Sequence, residues 1–367
     1  MKQGIFLGLL TLLLFMCRSG RAETLLFLGD LHLTAQDGAL SEVLDAVCRA
    51  AREADALILL GDSANNGRPE EHRRVAAFLK RVRAETGRPV YVLPGNHDLS
   101  GRIGQADFSA LYENFGYAQA AYRHDSSLSY AVQTAGSTWL VMLDLNRYEG
   151  SGGQGQADAY GWVSDSLLDW LEDVFSKIGG GRNAVVCAHY PIQPVLSETV
   201  ADGEKLFALL EKQDVRLYLC GHRHLHETWQ GGGVRQITVG MPQSAPCCLG
   251  RLQKGEGGWS YTLQPLFEEG DAFFETRREE TRQLGIRMAL GSLRGTPYEG
   301  SEEIAEWFAQ VFCLYMEGRL SEHRDRLLAD ESCEKWRQAG VRQAPGPWII
   351  SILENTGESV WGLWGSE

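Results

Sequence analysis

From residue 24 onward, short and wholly apolar runs alternate with stretches in which apolar residues recur at every third or fourth position. Leu25-Leu26-Phe27-Leu28 is the first run, suited to a strand buried on both faces, and it stops at Gly29-Asp30. Leu40, Val43, Leu44, Val47, Ala51 and Ala54 then follow a helical period. A second run over 56–60 ends at Gly61-Asp62. Pro69 suits the first turn of a helix, and Val75, Phe78, Leu79 and Val82 give that helix one apolar face. A third run over 89–93 ends at Pro94-Gly95-Asn96-His97. This β-α-β-α-β rhythm predicts parallel strands with helices packed on the sheet.

The rhythm weakens after residue 100, where the pattern supports a helix near 108–115. Runs over 127–132 and 138–145 flank Ala135-Gly136-Ser137 and predict a hairpin. The glycine-rich stretch 150–155 lacks the strand-to-helix context of a phosphate-binding loop and is read as a surface loop. A helix over 164–178, closed by Gly179, precedes a strand over 185–188 that delivers His189. A helix over 203–212 precedes a strand over 217–220 that delivers His222 and His224, and 234–239 and 259–266 supply the last strands. Beyond about residue 267 the texture becomes charged and helical, over 275–288, 302–316 and 321–335. The tail carries Trp348, Trp361 and Trp364, read as core rather than as a binding surface.

The extreme N-terminus stands outside this pattern. Lys2, an apolar stretch over 5–16 and the small residues Gly20 and Ala22 resemble a signal peptide cleaved after Ala22. Removing Lys2, Arg18 and Arg21 takes the formal charge from −13 to −16, which disfavours nucleic-acid polymers as partners. Seven of the eight cysteines then remain, with no regular spacing. Cys187 and Cys220 lie in apolar runs and Cys247-Cys248 are adjacent, so the chain is not a disulfide scaffold. The expected organisation is a signal peptide over 1–22, a catalytic domain over 23–267 and a helical C-terminal domain over 268–367. After cleavage no stable membrane span is expected, and the protein is expected outside the cytoplasm.

Five groups close the strands in order: Asp30-Leu31-His32, Gly61-Asp62, Gly95-Asn96-His97-Asp98, His189 and Gly221-His222-Arg223-His224. Singly, each histidine is as well explained by the core, and each Gly-Asp by a turn. Together they stand where an open α/β sheet gathers functional groups, beyond the carboxyl ends of the strands. Imidazole and carboxylate donors suit Mn, Fe or Zn. Two such ions about 3.5–4 Å apart share a carboxylate and clamp a phosphoryl group, and they yield hydroxide at neutral pH. His72, His124, His226 and His323 match no motif and are read as surface residues, while Arg223 is read as a substrate contact or a solvated side chain.

This series resembles the calcineurin-like metallophosphoesterase superfamily over roughly 25–266. The resemblance implies a four-layer α/β/β/α sandwich, here with a helical C-terminal domain, and two divalent or trivalent transition-metal ions. It implies that Asp30, His32, Asp62 and His224 hold the first ion, and that Asp62 bridges to a second held with Asn96, His189 and His222. His97, supported by Asp98, is implied as the leaving-group acid and phosphate contact. Departures narrow the branch. Asn65-Asn66-Gly67 and Pro94 stand where protein phosphatases carry phosphate-binding arginines, and Asn65 stands where purple acid phosphatases carry a tyrosine ligand. Gly161-Trp162, the stretch 164–171 and His189-Tyr190-Pro191 are most similar to class III cyclic-nucleotide phosphodiesterases.

The expected function is an exported phosphohydrolase acting on a small phosphoester, a phosphodiester first. The alternatives are an extracytoplasmic phosphomonoesterase or nucleotidase, and a non-catalytic protein-binding module. The intact set of seven ligands and an acid weighs against the last. The helical extension is expected to be an interaction domain or a lid.

Overall fold

The structure, a computed structural model, describes residues 22–36, 40–99, 103–147, 160–193, 200–341, 346–354 and 364–365. The signal-peptide core, Cys17, the glycine-rich stretch 150–155 and Trp361 lie outside the described residues.

Two sheets stack face to face. The first has the order β15 (Trp364–Gly365), β14 (Gly258–Pro265), β13 (Cys248–Gly255), β1 (Glu23–Leu28), β2 (Ala56–Leu60) and β3 (Val90–Leu93). β1, β2 and β3 are parallel, as their apolar runs predict, and β13 and β14 join as an antiparallel ribbon. The second has the order β11 (Glu227–Gly231), β12 (Val234–Thr238), β10 (Leu217–Cys220), β8 (Ala184–Ala188), β6 (Trp139–Leu143), β5 (Tyr130–Gln133) and β4 (Tyr122–Arg123). Its centre, β12-β10-β8-β6, is parallel. A separate two-stranded pair joins β7 (Gly161–Trp162) to β9 (Val200–Ala201).

Alternation along the second sheet sets the layers. Leu140, Met142, Val185, Cys187, Leu217 and Leu219 join the core of the first sheet, whereas Val141, Leu143, Val186, Ala188, Tyr218 and Cys220 join a second core. Successive strand residues point to opposite faces, so this sheet is buried on both sides. Helices α1 (Ser41–Ala51), α2 (Pro69–Thr86) and α3 (Gln105–Leu111) supply the first core. Helices α4 (Asp165–Ile178) and α5 (Gly203–Lys212) cover the second. The result is the four-layer α/β/β/α sandwich.

Local signals account for the helix ends. Pro69 occupies the first turn of α2, and Glu71 accepts hydrogen bonds from the backbone amides of Asn66 (2.8 Å) and Arg68 (3.2 Å). Gly87 ends α2 at φ 68°, a left-handed conformation that glycine adopts without a Cβ penalty. Ser164 caps α4 by accepting from the Leu167 amide at 3.2 Å.

Helices α6 (Ala272–Ser292), α7 (Glu302–Met316), α8 (Leu320–Leu328), α9 (Glu331–Gln338) and α10 (Gly346–Glu354) gather around a core of their own. Trp307, Phe308, Phe312 and Trp336 fill it, and Trp348 packs against it, so that the reading as core holds for Trp348 among the tail tryptophans. The single helix expected over 321–335 is two, because the Asp330 side chain accepts from the Ser332 amide at 2.8 Å and starts a new helix. Among the described residues no helix is long and apolar enough to cross a membrane, and all described cysteines are free thiols.

Candidate metal centre

The strands deliver their terminal residues to one place. Asp30 and His32 follow β1, Asp62 follows β2, Asn96 and His97 follow β3, His189 follows β8, and His222 and His224 follow β10. Two groups of ligand atoms result, each with all atoms within 4.8 Å of one another: Asp30, His32, Asp62 and His224, and Asp62, His189 and His222. Asp62 belongs to both. Asn96 joins the second group, its side-chain oxygen 3.0 Å from His189 Nε2. All seven ligands implied by the resemblance therefore converge.

The turns that carry them are strained. Asp30, His32, Asp62, His222 and His224 all have positive φ, from 45° to 72°. Non-glycine residues rarely adopt that region, and each such residue costs on the order of 1–3 kcal/mol. Surrounding bonds hold them there. The His222 amide donates to both oxygens of Asp30 at 3.0 Å, and the His97 amide donates to Asp62 Oδ1 at 2.8 Å. Gln243 donates to the carbonyls of Asp30 (3.3 Å) and Leu31 (3.1 Å). His189 Nδ1 donates to the Leu60 carbonyl at 2.9 Å, which turns Nε2 toward Asp62 Oδ2, 3.2 Å away.

Nitrogen faces nitrogen across both groups. His32 Nε2 and His224 Nε2 are 3.1 Å apart, and His222 Nδ1 and His189 Nε2 are 3.2 Å apart. Burial lowers His32 to about 4 and His222 to about 3, and it also holds His224 below its ordinary value. These three imidazoles are neutral at pH 7, with lone pairs available. Burial pushes the Asp62 carboxyl up, but the imidazoles, His189 foremost, outweigh it and leave Asp62 ionised. Burial likewise opposes a charge on His189, yet the Asp62 carboxylate wins and raises it. Asp30 is raised by its burial, against the pull of His189. A cation held there would compete with protons at His189 and Asp30. Converging lone pairs around a shared buried carboxylate are a donor set that fits transition-metal ions.

Asp98 and His97 meet the sequence expectation differently. The His97 ring lies 4.7 Å from that of His32, centroid to centroid, at the edge of the first group. Its Nδ1 donates to the Asn65 carbonyl at 2.7 Å, so Asn65 orients it rather than Asp98. The buried Asp98 carboxylate instead accepts from the amides of Ala64 (2.8 Å), Gly95 (3.0 Å) and Ser63 (3.3 Å), tying the loop after β2 to the loop after β3. His72 is not a surface residue. It is wholly buried, with Nε2 2.9 Å from the Asp98 carbonyl and Nδ1 2.9 Å from the Tyr112 hydroxyl. His226 is also buried, its Nδ1 accepting from the Gly240 amide at 3.2 Å. Nothing local in the sequence marked Asn65, Gln243 or His72 as supports, because each partner lies far away along the chain. Arg223 is not a solvated side chain: it bonds to Tyr315 and pairs with Glu227.

This is the architecture of a metal-dependent phosphoester hydrolase, and the chain belongs to the calcineurin-like phosphoesterase family, whose model matches residues 23–226. Phosphodiesterases are among the proteins it is similar to. It is 27% identical over 224 residues to a probable cyclic nucleotide phosphodiesterase of Rhodococcus erythropolis, covering 57% of this chain and 67% of that protein. It is 28% identical over 236 residues to the glycerophosphodiester phosphodiesterase GpdQ of Enterobacter lignolyticus, covering 56% and 75%. A dimetal phosphatase from Danio rerio shares the fold at 16% identity and a TM-score of 0.54, over 68% of this chain and 98% of that one.

Proposed function

We propose that this protein is an exported dinuclear-metal phosphodiesterase acting on a small phosphodiester. Residues 23–267 form its catalytic domain and 268–367 a helical domain. The observation that carries the reading is the position of Asp62, whose carboxylate is common to both ligand groups. Asp30, His32, Asp62 and His224 would hold one ion, and Asp62, Asn96, His189 and His222 the other. Bound ions of Mn, Fe or Zn supply Lewis-acid chemistry, polarising the phosphoryl oxygens and acidifying water at neutral pH.

His97 is the leaving-group acid in this reading. With Nδ1 committed to the Asn65 carbonyl, Nε2 is the ring atom that carries the proton to the departing oxygen. Asp98 acts at one remove, by fixing the loops that present Asp62 and Asn96. The choice of a diester rests on the diesterases among the similar proteins. Export rests on the N-terminal sequence pattern alone.

The test is hydrolysis by the chain from Glu23 onward with added Mn. It compares bis-p-nitrophenyl phosphate, p-nitrophenyl phosphate and cyclic AMP, with Asp62→Asn as control. Faster turnover of the diesters, lost in the control, is the expected result. Faster monoester turnover would replace the proposal with a phosphomonoesterase. Absence of turnover with two ions bound would favour a binding module.

A further inference from the structure

The run Gly221-His222-Arg223-His224-Leu225 faces two ways. His222 and His224 reach the ligand groups, whereas Arg223 and Leu225 reach the helical core. Leu225 is 4% exposed and belongs to the cluster built by α6–α10, and no other residue of the sandwich belongs to that cluster among the described residues. The Arg223 guanidinium donates to the Tyr315 hydroxyl of α7 at 2.9 Å and lies 3.3 Å from Glu227. Tyr315 is itself packed edge-on against Trp348 of α10, with ring centroids 5.4 Å apart. A chain of contacts thus runs from α10 through α7 to the residue between two histidines held at φ 72° and 60°.

Left-handed φ at His222 and His224 persists only while the surroundings over-determine it. The side facing Asp30 is fixed by the His222 amide, and the opposite side is fixed by Arg223 and Leu225. We infer that Tyr315 is a positioning residue for the metal centre, holding the His222–His224 turn through Arg223, so that the helical domain is a buttress of the site. The inference rests on the proposed ligand roles of His222 and His224. It gives the helical region a role other than that of a lid or an interaction domain.

The experiment measures Mn affinity by calorimetry on the full-length mature chain, alongside kcat, KM and thermal unfolding. The variants are Tyr315→Phe, Arg223→Ala, the pair combined, and Tyr298→Phe. Tyr315→Phe keeps the ring against Trp348 and removes only the acceptor. It is expected to weaken Mn binding about tenfold or more, the usual scale for groups that orient a metal ligand, with little change in melting temperature. Because Tyr315 acts through Arg223, the double variant should bind Mn no more weakly than Arg223→Ala alone. Tyr298→Phe removes a hydroxyl that bonds Gln338 at 2.8 Å in the same domain, away from the turn, and should bind Mn as the parent does. Unchanged affinity in Tyr315→Phe, additive losses in the double variant, or an equal loss in Tyr298→Phe would each overturn the inference. A parent protein that binds no Mn would instead remove the metal reading on which it stands.

Discussion

Asp62 is the residue on which the two halves of the site depend. Its Oδ1 accepts from the His97 amide, while Oδ2 lies 3.2 Å from His189 Nε2 and 3.7 Å from His32 Nε2. A carboxylate offers two anionic oxygens for these three directions, whereas a carboxamide offers one neutral oxygen and a donor. Asp62→Asn is therefore expected to deplete both ions together, and elemental analysis of the purified variant would read less than one metal per chain. Full occupancy would refute the shared role. His97 is separable from this. Its ring is outside both ligand groups, so His97→Ala should keep the metal content of the parent and lose about 10²–10⁴ in kcat, the range for a positioned acid. Normal turnover by that variant would sink the acid assignment.

The elements converge on the site because tight loops join them, and Gly95 shows how tight. A Cβ there would meet Asp62 Oδ1 at 2.2 Å and the Asp62 backbone nitrogen at 2.5 Å. The nitrogen is backbone and Oδ1 is held by the His97 amide, so Gly95→Ala must push the loop after β3 away from the loop after β2. It should cut Mn affinity by at least tenfold while leaving the far-ultraviolet circular dichroism intact; unaltered affinity would show that the loop has slack. The ends of β1, β2, β3, β8 and β10 were legible, since each of those apolar runs leads into a Gly-Asp, Gly-Asn, His or Gly-His group. Less legible were β11 and β13. In β13, Arg251, Gln253 and Lys254 interrupt the apolar signal, and the strand is recognisable only from its antiparallel partners β1 and β14. Local pattern also could not reveal that Asn65 rather than Asp98 orients His97, or that His72 is buried under Tyr112. Those pairings join residues 26 to 40 positions apart, and chain folding alone brings them together.

At the scale of the molecule, the site lies across the boundary between the two sheets. Asp30, His32, Asp62 and Asn96 come from the ends of the first sheet, and His189, His222 and His224 from the ends of the second. Each ligand group draws on both, so an ion held by these residues would tie one sheet to the other and offset buried carboxylate charge. Such an ion binds the folded chain far better than the unfolded one, since only folding assembles the donors. At a free concentration a hundredfold above Kd, the linkage contributes about 2.7 kcal/mol. For a domain of this size that is a rise of about 5–10 °C in melting temperature. Chelator-treated protein should unfold correspondingly earlier, recover on addition of Mn, and respond little to Mg, which avoids imidazole-rich sites. In Asp62→Asn the Mn-dependent shift should vanish, although the apolar faces of both sheets are unchanged. A parent protein whose melting temperature ignores Mn would mean that the sheets hold the site rigid without an ion, and that the clamp across them contributes nothing to stability.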